Sequence, residues 1–286
     1  MRPPCRQRSL IYSNNMSRPL PVLSIVLSIL AGACASTPAF AEVESGVLRA
    51  SDDVPIAYSR YKNGFDNAIV VCPGFYNSER NRWMQKTAEL LSSSYDVIVF
   101  DFRGHGNSGG KFTWSAKERL DLEAVLDYAG SCGYKGIGIA AFSLGAAAAV
   151  NAASERNDIA AMALFSCPSR IGMIDFHFWE PGMLSDLKDN MDCGWEGKGV
   201  RSGNPFMKKD DPIDLVGRIK DTPILFVHGD KDWIVKDRHS RKLYDAAHVE
   251  KKLEIVKGGL HAERLIQADP EGMKKLMLDW FSKRLN

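Results

Sequence analysis

Along most of its length the chain alternates two hydrophobic patterns. Short apolar runs at Ala68–Cys72, Asp96–Phe100, Ile137–Phe142, Ala160–Phe165 and Pro223–His228 have the unbroken character of strands covered on both faces. Lys252–Val256 closes the series of expected strands. Between these runs lie helix-forming stretches: Trp83 to Ser92, Lys117 to Tyr128, the alanine-rich stretch after Ser143, Arg238 to Ala247 and Pro270 to Leu285. In Lys117–Tyr128 the residues Leu120, Ala124, Val125 and Tyr128 supply an apolar side to an amphipathic helix. Val47–Ala50 and Ile56–Tyr61 flank Asp52-Asp53 and predict an antiparallel hairpin ahead of the first central strand. Strand and helix in succession predict an α/β protein with a mostly parallel central sheet and helices on both faces.

Residues from about 169 to 221 break this rhythm. Phe176, Phe178, Trp179, Met183, Leu184, Met191 and Trp195 lie there among glycines and acidic residues without a period, which predicts an insertion over the sheet edge, a small lid. Residues 1–41 differ in another way: they hold Arg2, Arg6, Arg8 and Arg18, no acidic residue, and an apolar run from Leu20 to Gly32 that is short for a membrane span. A basic start, an apolar middle and the pattern Ala39-x-Ala41 predict a signal peptide cleaved after Ala41, with Met16 as a second candidate start. The mature protein, residues 42–286, is then expected to be exported to the periplasm or the exterior as one domain with no membrane span. Cys34 behind Leu30-Ala31-Gly32-Ala33 offers a lipoprotein alternative, and a transit peptide and an uncleaved anchor are further readings of the same segment.

Charge follows this division. The chain carries +2 overall, but the four arginines of the leader reduce its 37 basic residues to 33 against 35 acidic ones, so residues 42–286 carry −2. No basic stripe with interleaved aromatics remains, and nucleic acid is not an expected partner. With 286 residues, 45% apolar and 25% charged, the composition is that of a globular protein long enough for a large α/β domain. Beyond the leader stand Cys72, Cys132, Cys167 and Cys193, whose spacing matches neither a metal site nor a disulfide framework. Cys72 and Cys167 are expected as buried small side chains, and a Cys132–Cys193 bridge is left open.

The chemistry concentrates around Ser143. In Ile137–Ala149 a strand-like half meets an alanine-rich, helix-forming half, and Ser143 sits at the join between the small residues Ala141 and Gly145. A serine on such a turn points its hydroxyl out of the sheet edge, with the N–H groups of the helix start facing the place where negative charge would develop. A hydroxyl becomes a useful nucleophile only with a base, and the base needs a carboxylate to hold its tautomer. Of six histidines, His177 lies in the insertion, His239 and His248 fall in an expected surface helix, and His105 and His228 adjoin glycines in loop or strand-end motifs. His261, behind Gly258-Gly259 and directly after the last strand, is the one expected at the sheet edge. For the acid, Asp232 is better placed to reach round to His261 than Asp230, which lies close to the strand end and suits a turn-shaping role.

Asp101-x-Arg103-Gly104-His105-Gly106-x-Ser108, Ala141-x-Ser143-x-Gly145, His228-Gly229-x-x-Asp232-x-x-Val235 and Gly259-x-His261 together resemble the α/β-hydrolase superfamily, over about Val47 to Leu285. The branch most similar is the monoacylglycerol-lipase-like and serine-aminopeptidase-like group. The resemblance implies an α/β-hydrolase fold with Ser143 as nucleophile, His261 as general base and acid, and Asp232 as orienting carboxylate. It implies an oxyanion hole from the backbone N–H groups of Leu144 and Phe75. Here the chain has Pro73-Gly74-Phe75-Tyr76 where the family usually has His-Gly, so the N–H or hydroxyl of Tyr76 is an alternative donor. Arg103 and His105 are expected to brace their loop.

The chain is therefore expected to be a serine hydrolase needing no metal or organic cofactor and acting on a small-molecule acyl substrate. A carboxylic ester is the first expectation, as for an esterase or acylglycerol lipase, with Phe176, Phe178, Trp179, Met183 and Trp195 as the candidate acyl-chain cover. A peptidase or amidase using Glu180, Asp186, Asp189, Asp192 and Glu196, a thioesterase, and a non-catalytic binding protein on the same scaffold are the alternatives. A dehalogenase or epoxide hydrolase is disfavoured because position 143 is Ser where those enzymes use Asp. Nothing in the sequence specifies an oligomeric state.

Overall fold

The computed structural model describes residues 42–174 and 199–285. Within them, one sheet runs in the order β1-β2-β4-β3-β5-β6-β7-β8. Its strands are β1 Glu42–Arg49, β2 Pro55–Lys62, β3 Asn67–Cys72, β4 Asp96–Phe100, β5 Gly136–Phe142, β6 Ala161–Phe165, β7 Ile224–Gly229 and β8 Lys251–Val256. β1 pairs antiparallel with β2, and β2 with β4; every other pairing is parallel. The helices are α1 Arg82–Leu91, α2 Glu118–Ser131, α3 Leu144–Ala153, the single turn α4 Pro212–Leu215, α5 Arg238–Ala246, α6 Glu263–Ala268 and α7 Pro270–Phe281. None of them is long and apolar enough to cross a membrane.

Both faces of the sheet are covered, which is why the central strands are apolar throughout. Successive side chains point to opposite faces. Val70, Ile98, Ile139, Leu164 and Phe226 join one core with α2, α3 and α5. Their neighbours Ile69, Val71, Val99, Phe142, Phe165 and Val227 join the other with α1, α6 and α7. All ten residues of α3 are buried, so its alanine run keeps side chains small where helix and sheet press together. Local chemistry sets several ends: the Asn81 side chain accepts the Trp83 N–H at the start of α1, and Asp269 accepts the Gly272 N–H ahead of Pro270 at the start of α7.

The expected α/β-hydrolase architecture is present, and the differences are local. α7 ends at Phe281 rather than Leu285, although Leu285 remains buried. α6 follows His261 immediately and is too short to show a periodic pattern. His239, expected on a surface helix, is buried because its Nδ1 receives both the N–H and the hydroxyl of Ser169, which follows β6. Cys72, Cys132 and Cys167 carry free thiols, so Cys132 makes no bridge here; Cys193 lies outside the described residues. Of the expected insertion, residues 175–198 lie outside them too, including Phe176, Phe178, Trp179, Met183 and Trp195.

The loop between β4 and α2 is braced by buried charge. The Arg103 guanidinium makes paired hydrogen bonds to Asp52 at 2.8 and 2.9 Å, and its Nε and Nη2 donate to Asp121 Oδ1 at 2.9 and 2.7 Å. This links the β1–β2 turn, the loop and α2. Asp101 accepts the Glu79 and Asn107 N–H groups, and a side chain at Gly106 would collide with its carboxylate. His105, 3% exposed, donates from Nδ1 to the Arg103 carbonyl, while its Nε2 has no hydrogen-bond partner among the described residues.

Burial pushes the His105 imidazole down from 6.5 to about 4; the Arg103 carbonyl opposes this and the Arg201 charge adds to it. A histidine depressed by folding stabilises the protein fully above its unfolded value and loses that contribution as pH falls toward the folded one, about 3 kcal/mol in all. Denaturant midpoints of the wild type should therefore fall from pH 6.5 to pH 4 more steeply than those of His105→Gln. Parallel slopes would show that His105 is not a buried neutral imidazole.

Candidate active site

The turn after β5 sets the site. Ser143 has φ 51° and ψ −118°, a left-handed conformation that non-glycine residues seldom adopt, and its N–H donates to the Phe165 carbonyl at 2.8 Å. The reversal is so tight that α3 lies against the end of β3. A Cβ at Gly145 would stand 2.3 Å from the Pro73 carbonyl oxygen and 2.7 Å from that of Cys72, so no side chain fits there. Ala141, where the usual pattern has glycine, is accommodated in the core with no exposure.

His261 stands on the connection from β8 to α6. Ala262 beside it has φ 44°, and its N–H donates at 2.9 Å to the hydroxyl of Ser166, itself at φ 51° beyond the end of β6. Beneath this loop the backbones of Gly229 and Gly259 touch: a Cβ on Gly229 would meet the Gly259 carbonyl oxygen at 2.2 Å. Asp232 is on the turn after β7, where its Oδ1 accepts the N–H groups of Ile234 at 3.0 Å and Val235 at 2.9 Å.

These turns bring three residues into one row. His261 Nε2 lies 2.9 Å from Ser143 Oγ, and His261 Nδ1 lies 2.7 Å from Asp232 Oδ2. A carboxylate oxygen accepts, so Nδ1 carries the hydrogen and Nε2 is left to accept from the serine hydroxyl. Ser143, His261 and Asp232 are 7%, 6% and 2% exposed, so the row lies largely out of solvent. Burial opposes the charge on Asp232, but the His261 imidazole and the hydrogen bonds from His228 and His261 outweigh it and hold the carboxyl well below the usual range. Asp230 does not join the row; its Oδ1 accepts the Gly258 N–H at 2.7 Å and shapes the turn.

The remaining expected site residues lie beside Ser143. Leu144 begins α3, so its N–H has no partner within the helix. Gly74, the neighbour of Phe75, passes so close that a Cβ on it would be 3.3 Å from Ser143 Cβ. Tyr76 is left-handed at φ 66° and 41% exposed, packing edge-on against Phe75. Phe75 also packs at 5.1 Å on Phe112 and on Trp114. These two share an apolar cluster with Leu144, Ile171, Ile174 and Val200. Trp114 and Ser115 are both left-handed, and the turn holding them is tied by the Thr113 N–H and hydroxyl to the Glu118 carboxylate. Among the described residues, no three His, Cys, Asp or Glu side chains gather to hold a metal ion.

Two contacts are not read from the sequence. His228 stands in the motif His228-Gly229-x-x-Asp232-x-x-Val235 without an assigned role, yet its Nε2 lies 3.2 Å from Asp232 Oδ2. Ser166 carries no local signal, since its role depends on Ala262 arriving from a distant loop.

A carboxyl held below its unfolded value stabilises the fold above about pH 4 and loses that contribution as pH falls through the folded value. Asp232→Asn is thus expected to be less stable than wild type at neutral pH, with the gap closing in acid. A gap independent of pH would show that the ionised carboxylate is not what holds the turn.

The sequence profile of the Alpha/beta hydrolase family matches residues 69–259. The uncharacterized protein YqkD of Bacillus subtilis is 24% identical over 230 residues, which span 73% of this chain and 72% of that protein. Among solved structures, the Pyrococcus furiosus esterase Pf2001 superposes with a TM-score of 0.69 at 26% identity, covering 86% of this chain and 94% of the other. The esterase RhEst1 from Rhodococcus sp. shares the fold with a TM-score of 0.68 at 16% identity, covering 84% of this chain and 99% of the other. A profile matching more than half of its length, laid over this sheet and these two helical layers, makes the chain a member of the alpha/beta hydrolase family.

Proposed function

We propose that the protein is a serine hydrolase that cleaves carboxylic esters through an acyl-enzyme on Ser143. The observation that carries this is the hydrogen-bonded row from Ser143 Oγ through His261 to a buried carboxylate. His261 Nε2 takes the hydroxyl proton as Oγ attacks the ester carbonyl carbon, and Asp232 stabilises the imidazolium that forms. The oxyanion of the tetrahedral intermediate faces the N–H groups of Leu144 and Phe75, fixed donors on a helix start and a tight loop. The bond to the leaving oxygen then breaks, and His261 protonates the departing alcohol. In the second half a water attacks the serine ester with His261 again as base, releasing the acid.

The esterase Pf2001, at 26% identity over most of both chains, supports an ester as substrate. The half-buried rings of Phe75 and Trp114, packed in one apolar cluster with Phe112 and with Leu144, the neighbour of Ser143, support an apolar group on one side of the scissile bond. A wall of fixed aromatic rings gains by covering apolar surface, about 25 cal/mol per Å² removed from water.

Fluorophosphonate labelling with hydrolysis of p-nitrophenyl esters from acetyl to palmitoyl tests the proposal. Labelling should vanish in Ser143→Ala, and turnover should fall by about 10⁴-fold or more in Ser143→Ala and His261→Ala while both remain folded. Labelling that persists in Ser143→Ala, or folded wild type that never labels, would overturn it. Trp114→Ala should lower kcat/KM for octanoyl esters by roughly tenfold more than for acetyl esters; an equal effect on both would remove the wall from acyl recognition.

A further inference from the structure

Asp232 is met by two imidazoles, and ester hydrolysis through Ser143 uses one. His228, in β7, has no exposed surface. Its Nε2 lies 2.7 Å from the Val235 carbonyl oxygen and 3.2 Å from Asp232 Oδ2, and its Nδ1 lies 2.6 Å from Ser240 Oγ in α5. A carbonyl oxygen only accepts, so Nε2 bears a hydrogen; it is given to Val235, and the same N–H edge stands 3.2 Å from the Asp232 carboxylate. In the neutral ring Nδ1 then accepts from the Ser240 hydroxyl. The partners leave His228 one orientation and one tautomer.

The effect on Asp232 is specific. Oδ1 is pinned by two backbone N–H groups of its own turn, while Oδ2 stands between the donors of His261 and His228. Rotation of the carboxylate would break these contacts. The titratable groups acting on it are His261, from the β8–α6 connection, and His228, from β7. Asp230, on the same turn, is occupied by the Gly258 N–H. On α5, His239 is turned to Ser169, and Arg241 pairs with Asp237.

We propose that His228, oriented by Ser240, is a positioning residue for ester hydrolysis, its Nε2–H holding the Asp232 carboxylate in the geometry that orients His261. This rests on the proposed triad of Ser143, His261 and Asp232. It extends the row to Ser143, His261, Asp232, His228 and Ser240, running from the sheet edge to the buried side of α5. Without the His228 donor, Asp232 becomes a stronger acceptor toward His261, favours the imidazolium in the resting enzyme, and loosens with its turn.

The test compares His228→Asn, His228→Gln and Ser240→Ala by kcat, KM and pH profile on a p-nitrophenyl ester. The downfield proton NMR resonance of the His261–Asp232 hydrogen bond is followed in parallel. A glutamine side-chain amide reaches the place of Nε2 and can donate; an asparagine amide is too short. His228→Asn should lower kcat by about 10- to 100-fold, short of the roughly 10⁴-fold that follows corruption of the acid itself, with KM nearly unchanged. The acid limb should move up by about half a pH unit. His228→Gln should recover most of kcat and the limb, and Ser240→Ala should shift both in the direction of His228→Asn. The downfield resonance should move in His228→Asn and Ser240→Ala.

An unchanged profile and resonance in Ser240→Ala and His228→Asn would overturn the proposal, as would a glutamine variant as damaged as the asparagine one. If His228→Asn fails to fold, Ser240→Ala decides alone. Wild type that does not label at Ser143 would remove the esterase proposal, and the resonance would still report whether His228 sets the carboxylate.

Discussion

A serine held left-handed at the end of a central strand is the constraint on which the rest of the structure depends. An L-residue there strains the backbone by about 1–3 kcal/mol, and the strain persists only because the surroundings leave no alternative. The Ser143 N–H is tied to β6 through the Phe165 carbonyl. α3 is pressed so close to the end of β3 that position 145 holds glycine, and the helix is buried all round behind alanines. The same proximity brings the Gly74–Phe75 loop alongside the serine. One tight turn thereby sets the direction of the hydroxyl, the start of the helix and the place of the neighbouring loop.

A second demand comes from charge. An ionised carboxylate is expensive to bury unless every lone pair finds a donor. At Asp232 the turn supplies two backbone N–H groups, His261 from behind β8 supplies a third donor, and the His228 imidazole from β7 stands 3.2 Å away. His261 in turn depends on Ala262 and Ser166, two left-handed residues from separate crossovers joined by one hydrogen bond. Strain recurs at Ser143, Ser166 and Ala262, all at the same end of the parallel sheet. That is where strands hand over to loops and where a parallel sheet can aim side chains at a common point.

Legibility in the sequence followed burial. Strands covered on both faces leave unbroken apolar runs, so β3 to β7 stand within a residue or two of where the pattern puts them, and the resemblance to α/β-hydrolases rests on turns whose glycines have steric reasons. Gly145 and Gly229 are two of them, since backbone from another segment fills the space a Cβ would take. α6 is not legible because six residues complete no periodic pattern. The pattern misplaces His239 because Ser169, its partner, is far away in sequence. The preference for Asp232 over Asp230 was legible from its distance past the end of β7; in the structure Asp232 meets His261 while Asp230 holds the Gly258 N–H.

The sequence by itself determined what local physics can encode: which segments are strands, which turns tolerate only small residues, and which serine, histidine and aspartates stand at strand ends. Tertiary structure decided what depends on segments far apart in the chain meeting in space. It put Ser143 and His261, 118 positions apart, within 2.9 Å, laid Ser166 under Ala262, and gave Asp232 a second imidazole. Periodicity and motif spacing carry no information about those distances, because they are set by strand order, by the handedness of the crossovers and by the close packing that holds the loops against one another.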